Sequence, residues 1–191
     1  IQAGGADGDY TIPGGGGYAR HGYAAANLSR VSLALLGSES MVARTSWVAG
    51  QALTGTGEVV FDLLVRDDGT GANHYGLRLE VDLANSTIDL KLIERSAGSA
   101  VALITSNDAL TYVYGHIFEM ICQIDTANLI LRGKAWDSDT SIEPVDWTLE
   151  WDIVSLVTGG NYGGIRSSTP AGITNTGTYY LHFHKLILID G

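Results

Sequence analysis

Between positions 118 and 135 the side chains change character at every second residue, and this period of two constrains the fold more than any other feature of the chain. Phe118, Met120, Cys122 and Ile124 alternate with Glu119 and Gln123. Asp125 to Asn128 supply turn chemistry, after which Leu129, Leu131, Gly133 and Ala135 alternate with Arg132 and Lys134. Successive side chains of a strand point to opposite faces. The pattern therefore predicts a hairpin whose apolar face must lie against a second layer. An acidic, polar loop follows Trp136, and Pro144 closes it before Trp147.

The same alternation recurs along the chain. Strands are predicted over 28–36 and 41–49, the second with Met41, Ala43, Thr45 and Trp47 on one face. A third, over 58–66, sets Val59, Phe61, Leu63 and Val65 against Asp62 and Arg66, and Asp67, Asp68 and Gly69 then turn the chain. Over 75–83, Leu77, Leu79, Val81 and Leu83 oppose Arg78, Glu80 and Asp82, and Asn85 and Ser86 lead into 87–94. A short strand is expected at 100–105, another strand at 147–153, and at most a short one inside the glycine-rich stretch 158–177. The closing segment 179–189 switches its apolar face around Lys185, which marks a bulge or a strand covered on both sides. No segment sustains a period of 3.6, so the fold class is all-β, an antiparallel β-sandwich of two stacked sheets.

A chain of 191 residues buries one sizeable core, and its 25 glycines fit many short strands joined by tight turns. The expected organisation is a Gly/Ala-rich arm or linker over 1–27 and one sandwich domain over 28–191. The glycine run Gly14 to Gly17 lacks the lysine of a phosphate loop and has no strand before it. A net charge of −10, with 11 Lys and Arg spread along the chain, argues against a nucleic-acid partner. No run of 18 apolar residues predicts a membrane span. Cys122 is the single cysteine, on the apolar side of its strand, which excludes an internal disulfide and predicts a small buried hydrophobe. The first residue is Ile1 rather than Met, which suggests a fragment or a processed product.

Several stretches together carry a family resemblance: Tyr75-Gly-Leu-Arg-Leu, Ile88-Asp-Leu-Lys-Leu-Ile-Glu-Arg, Gly133-Lys134-Ala135-Trp136, Glu143-Pro144-x-x-Trp147, and a late Tyr-Tyr-Leu-His-Phe. From about Val59 to Ile189 the order resembles the concanavalin A-like, laminin-G-like jelly-roll modules of bacterial secreted and phage virion proteins. The Lys-Ala-Trp and Pro-x-x-Trp pair is the more specific part of the match. The resemblance implies one concave and one convex sheet, ligands on the concave face or its rim, and Trp136 and Trp147 as packing residues. It implies a structural calcium near the chain ends in many members. Here Leu181-His182-Phe183-His184-Lys185 stands where relatives place paired aspartates, with Asp190 the remnant, so no cofactor or metal is expected.

Glycoside hydrolases of this fold carry Glu-x-Asp-x-x-Glu, which puts carboxylates on one face of a strand. Glu80-x-Asp82 and Glu150-x-Asp152 begin that pattern, but Asn85 and Ser155 replace its last carboxylate, so no catalytic residue is assigned. His182 and His184 share a strand face and would need His116 or His74 to complete a metal site. Sugar rings present apolar C–H faces, so the candidate ligand-binding residues are the aromatics Tyr112, Tyr114, Trp151, Tyr162 and Tyr179. The expectation is a non-catalytic binding or structural module, extracellular or on a virion. Its partner would be a surface polysaccharide or another virion or secreted protein, and it would act as a homo-oligomer or as part of a larger assembly. The alternative is a glycoside hydrolase or polysaccharide lyase of the same fold.

Overall fold

The computed structural model describes residues 10–11, 18–23, 29–156, 159–176 and 179–191, with no helix among them. The strands are β1 (Tyr10–Thr11), β2 (Tyr18–Tyr23), β3 (Ser29–Leu35), β4 (Met41–Ala49), β5 (Glu58–Asp67), β6 (His74–Asp82), β7 (Thr87–Ser96), β8 (Ser99–Thr111), β9 (Phe118–Asp125), β10 (Ile130–Asp137), β11 (Leu149–Asp152), β12 (Tyr162–Ser168) and β13 (Tyr179–Asp190). They form a seven-stranded sheet, β1-β2-β13-β4-β9-β10-β11, and a six-stranded sheet, β3-β12-β5-β6-β7-β8. Neighbours within each are antiparallel, from the β10–β11 pair at one edge to the β7–β8 pair at another. The two-sheet sandwich read from the period of two is therefore the observed fold.

The core sits where the alternation puts it. Met41, Ala43 and Trp47 of β4, Leu77, Leu79 and Val81 of β6, and Phe118, Met120 and Cys122 of β9 are all buried between the sheets. The Trp47 ring stacks on Phe61 of the facing sheet at 3.7 Å and 15°, and on Phe118 of its own sheet at 4.9 Å. Gly133 opposes the leucines of the other sheet. A Cβ there would lie 2.9 Å from Leu77 Cδ1 and 3.1 Å from Leu92 Cδ2, so the missing side chain is what lets these leucines reach across.

Two hairpins, one in each sheet, are closed by the same turn. In Asp82-Leu-Ala-Asn-Ser86 the Asp82 carboxylate accepts from the Ala84 N–H at 2.8 Å, the Asn85 N–H at 3.3 Å and the Asn85 amide at 2.7 Å. In Asp125-Thr-Ala-Asn-Leu129 the Asp125 carboxylate does the same at 3.0, 3.0 and 2.7 Å. Each turn ends on a left-handed residue, Ser86 at φ 56° and Leu129 at φ 56°.

Four segments depart from the sequence reading. The 1–27 segment, expected as an arm or linker, supplies β1 and β2, and β2 pairs with β13 so that Tyr23 and His21 are buried. The glycine run within it lies outside the described residues. The short strand at 100–105 is the thirteen-residue edge strand β8, whose register slips between Ile88 and Leu90 and again between Leu92 and Ile93. The glycine-rich 158–177 stretch contains β12, a seven-residue strand between β3 and β5, where Gly163 and Gly164 hide its period. The strand at 147–153 shortens to β11. The predicted irregularity near Lys185 is a register shift between His184 and Ile187.

Candidate functional site

Inward positions of the seven-stranded sheet are occupied by the core, so the alternate set faces outward. On β4 these include Arg44 and Ser46, on β9 Glu119 and Gln123, on β10 Arg132, Lys134 and Trp136, and on β11 Glu150 and Asp152. His182 and His184 continue the face on β13. Long cations two residues apart on β10 share one side, which places Arg132, Lys134 and Trp136 in a row.

Residues 138–148, between β10 and β11, fold back over this face and are tied down by that row. Lys134, largely buried, donates from Nζ to the Pro144 carbonyl at 2.7 Å and pairs with Glu143 Oε1 at 2.8 Å. Arg44 reaches Glu143 Oε2 at 3.1 Å and Glu119 Oε2 at 3.4 Å. Arg132 and Lys134 stand over the Trp147 ring at 5.0 and 5.3 Å, and Arg44 stands over Trp136 at 5.4 Å. The Lys134 hydrogen bond to Glu143 holds that carboxyl below its ordinary range, with the Lys134 and Arg44 charges adding to it, so Glu143 is an anion at neutral pH. Beside the strapped loop opens a cavity of about 430 Å³ lined by Arg44, Thr45, Ser46, Glu119, His184 and Ile187. On the outer side of the loop Ile142 and Val145 are 89% and 94% exposed. The surface thus sets the half-buried Trp147 ring among guanidinium donors and ion-paired carboxylates, with Trp136 and Lys134 buried beneath them. That combination can stack on an apolar ring face while hydrogen-bonding hydroxyls around it.

The aromatics singled out from the sequence whose side chains are described are not brought together. Tyr112 stacks on Trp47 and Phe118 at 6.4 and 6.2 Å, and burial pushes its hydroxyl up to about 12. Tyr114 is 53% exposed in the loop after β8. Trp151 pairs with Leu131 in register, so it faces inward at the sheet edge and is 37% exposed. Tyr162 lies on the other sheet with its ring against Gly69. Tyr179 is in β13, and its side chain is outside the described residues. The sequence reading passed over Trp136 and Trp147, which it gave to packing. Trp136 is indeed buried, but under Arg44 on the outer side of the sheet. The available signal was the Arg132-x-Lys134-x-Trp136 spacing, which sets all three on one strand face.

The histidines are equally dispersed. His182 and His184 are on the seven-stranded sheet, whereas the His74 Nδ1 pairs with buried Asp67 on the other at 3.1 Å. His116 instead meets Asp137 at 2.7 Å, and His116, Asp137 and Asp139 present ligand atoms within 4.8 Å of one another. Their lone pairs already accept protein donors: Asp139 Oδ2 takes the Ile117 N–H at 2.6 Å and Asp137 Oδ1 the Asp139 N–H at 3.0 Å. The trio works as a clasp between the loops that precede β9 and follow β10. Burial alone would raise the Asp137 carboxyl, but the His116 hydrogen bond and the Asp139 N–H outweigh it and hold it low. Three of the four carboxylates in the Glu-x-Asp pairs are also engaged. Glu80 pairs with Lys91 and with Arg78, Asp82 caps its turn, and Glu150 faces Arg132 at 3.7 Å.

No protein-family model matches the sequence, and no curated protein sequence matches it. Solved structures do. The chain is similar to the carbohydrate-binding module CBM66 from Bacillus subtilis (9% identity, TM-score 0.55, 94% of this chain and 89% of that one). It is similar to a Bacillus licheniformis beta-glucanase (8%, TM-score 0.59, 94% and 81%) and to a Lotus tetragonolobus seed lectin (14%, TM-score 0.54, 99% and 97%). It also matches a sialidase, of which it spans 15%. With the strand order above, these define the fold as a concanavalin A-like jelly roll. At such identities the likeness concerns the fold alone.

Proposed function

We propose that this domain is a non-catalytic glycan-binding module, displayed outside the cell on a secreted or virion protein, whose ligand lies along the outer face of the seven-stranded sheet. The observation that carries the reading is the half-buried Trp147 ring beside Arg132 and Arg44, with the adjoining cavity. Glycan-binding modules and lectins among the similar structures support it. Glu119, Glu143 and Glu150 on this face all hold cations, which suits positioning rather than proton transfer. Binding to a polysaccharide array, followed by calorimetry on the retained glycan, tests it. Trp147→Ala and Arg44→Ala are expected to weaken binding by about tenfold or more, and retention on no glycan overturns the reading.

One observation favours glycan cleavage as the second reading. On the six-stranded sheet Glu58, Glu80, Asp82, Asp89 and Asp108 line a cavity of about 440 Å³ with Asn85, Thr87 and Asn107. Burial, then the Glu80 charge, raises the Glu58 carboxyl above its ordinary range, as a general acid requires. Reducing-sugar release that disappears in Glu58→Gln would replace the binding reading with this one.

A further inference from the structure

The outer positions of the six-stranded sheet hold a second polar cluster. Asp62 of β5 sits opposite Arg78 of β6 on one side and Arg166 of β12 on the other, and Arg95 of β7 sits directly opposite His74 of β6. The acids of this cluster are taken. Arg78 donates to both Asp62 oxygens at 2.7 and 3.0 Å, and Arg166 donates to Asp62 at 2.8 Å. Asp67 is held by His74 Nδ1 and by the N–H groups of Gly69 and Gly71 at 2.7 and 3.1 Å. Arg95 is left over. Arg44, Arg66, Arg78, Lys91, Arg132, Lys134 and Arg166 all pair with carboxylates, so among the cations with described side chains Arg95 is the one without an acid.

Two further facts converge on the same spot. Arg95 Nε and His74 Nε2 are buried and have no hydrogen-bond partner, although they belong to side chains facing each other across β6 and β7. His74 is fully buried. Native interiors rarely leave such atoms orphaned, so a pair of them marks a place for a bound group. Burial, and then the Arg166 charge, hold Arg95 below the usual arginine range, with Asp62 and Asp67 pulling the other way. In a chain of net charge −10 this is a local positive focus.

We propose that Arg95 and Arg166, with His74 beside them, form an oxyanion site that takes a carboxylate or sulfate group of an acidic polysaccharide. A guanidinium offers parallel N–H groups that match both oxygens of such a group, and a second guanidinium behind it supplies charge that is now opposed only by Asp62. The imidazole, held on Asp67 through Nδ1, borders the site with Nε2. The anion chemistry stands independently of the glycan reading of the other sheet; the polysaccharide as its source rests on that reading.

The test is thermal shift and calorimetry on the whole chain with three probes: sodium sulfate against sodium chloride of equal ionic strength, an oligogalacturonate, and its uncharged methyl ester. Sulfate and oligogalacturonate are expected to raise the melting temperature, the ester is not, and Arg95→Gln should weaken both by about tenfold or more. Arg95→Gln should melt at or above the wild-type temperature without anion, because it removes an unpaired cation; a clear fall assigns Arg95 to the scaffold and overturns the site. Equal stabilisation of wild type and Arg95→Gln, or none of either, also overturns it. Sulfate binding without oligogalacturonate binding keeps the oxyanion site and overturns the polysaccharide as its source.

Discussion

Replacing Asp62 by Asn tests how the six-stranded sheet tolerates its arginines. Asp62 is buried and receives three charge-assisted hydrogen bonds, two from Arg78 and one from Arg166. Asp62→Asn keeps the volume but removes the carboxylate that Arg78 and Arg166 share, leaving Arg78 its 3.4 Å pair with Glu80. Breaking a buried pair by removing one partner costs about 3–5 kcal/mol, because the remaining charge is uncompensated. In a domain of this size 1 kcal/mol moves the melting temperature by about 2–4 °C, so calorimetry at pH 7 should show a fall of about 6–20 °C. Adding Arg95→Gln should restore part of it, since one of the unbalanced cations is gone. The pH dependence has a definite sign. Burial by itself raises Asp62, but the Arg78 charge and hydrogen bond and then Arg166 outweigh it, leaving the folded-state value below the ordinary 3.8. Its stabilisation is therefore complete above that value and is lost as pH falls through the folded one, and Asp62→Asn should flatten the acid limb of the stability curve. A melting temperature within about 2 °C of wild type would show that water, not Asp62, balances the guanidiniums, and would refute the reasoning.

Gly133→Val should destabilise by about 1–3 kcal/mol through overpacking against Leu77 and Leu92, read as a lower urea midpoint with unchanged slope; an unchanged midpoint would mean that the sheets part freely at that level. Cys122 is fully buried and burial pushes its thiol far up, so a thiol reagent should label it only as fast as the protein unfolds; labelling at the rate of a free thiol would contradict that burial.

What could be read from the sequence follows from where water lies. β4, β5, β6, β7, β9 and β10 each set an apolar core face against a face that carries polar and charged side chains, buried though many of these are, so their residues alternate and their limits fall within a few positions of prediction. β8 has little core face, being mostly exposed at a sheet edge, and so looked like a short strand followed by a loop. β12 is central, yet Gly163 and Gly164 give it no contrast, and β2 was hidden in Gly- and Ala-rich surroundings. The candidate glycan surface was half legible. Trp136 and Trp147 were noticed as a recurring pair, but that the 138–148 loop folds back onto the strand it has just left depends on Lys134 reaching Glu143 and Pro144 across the turn. Alternation carries no signal for that. The arginine cluster was invisible for a different reason: Arg78, Arg95 and Arg166 come from three strands and meet only through the sheet register.

The matched aspartate turns at 82–86 and 125–129 also bear on how the molecule can be rebuilt. Each is held by its own Asp and Asn and ends on a left-handed residue, but their outside bonds differ: Leu83 donates to the Gly57 carbonyl in the first, and Thr126 bonds Ser40 through both its N–H and its hydroxyl in the second. They share a lock but not its surroundings. Exchanging the two segments would keep the Asp–Asn lock and forfeit the Thr126–Ser40 bonds, which tether the second turn to the residue just ahead of β4.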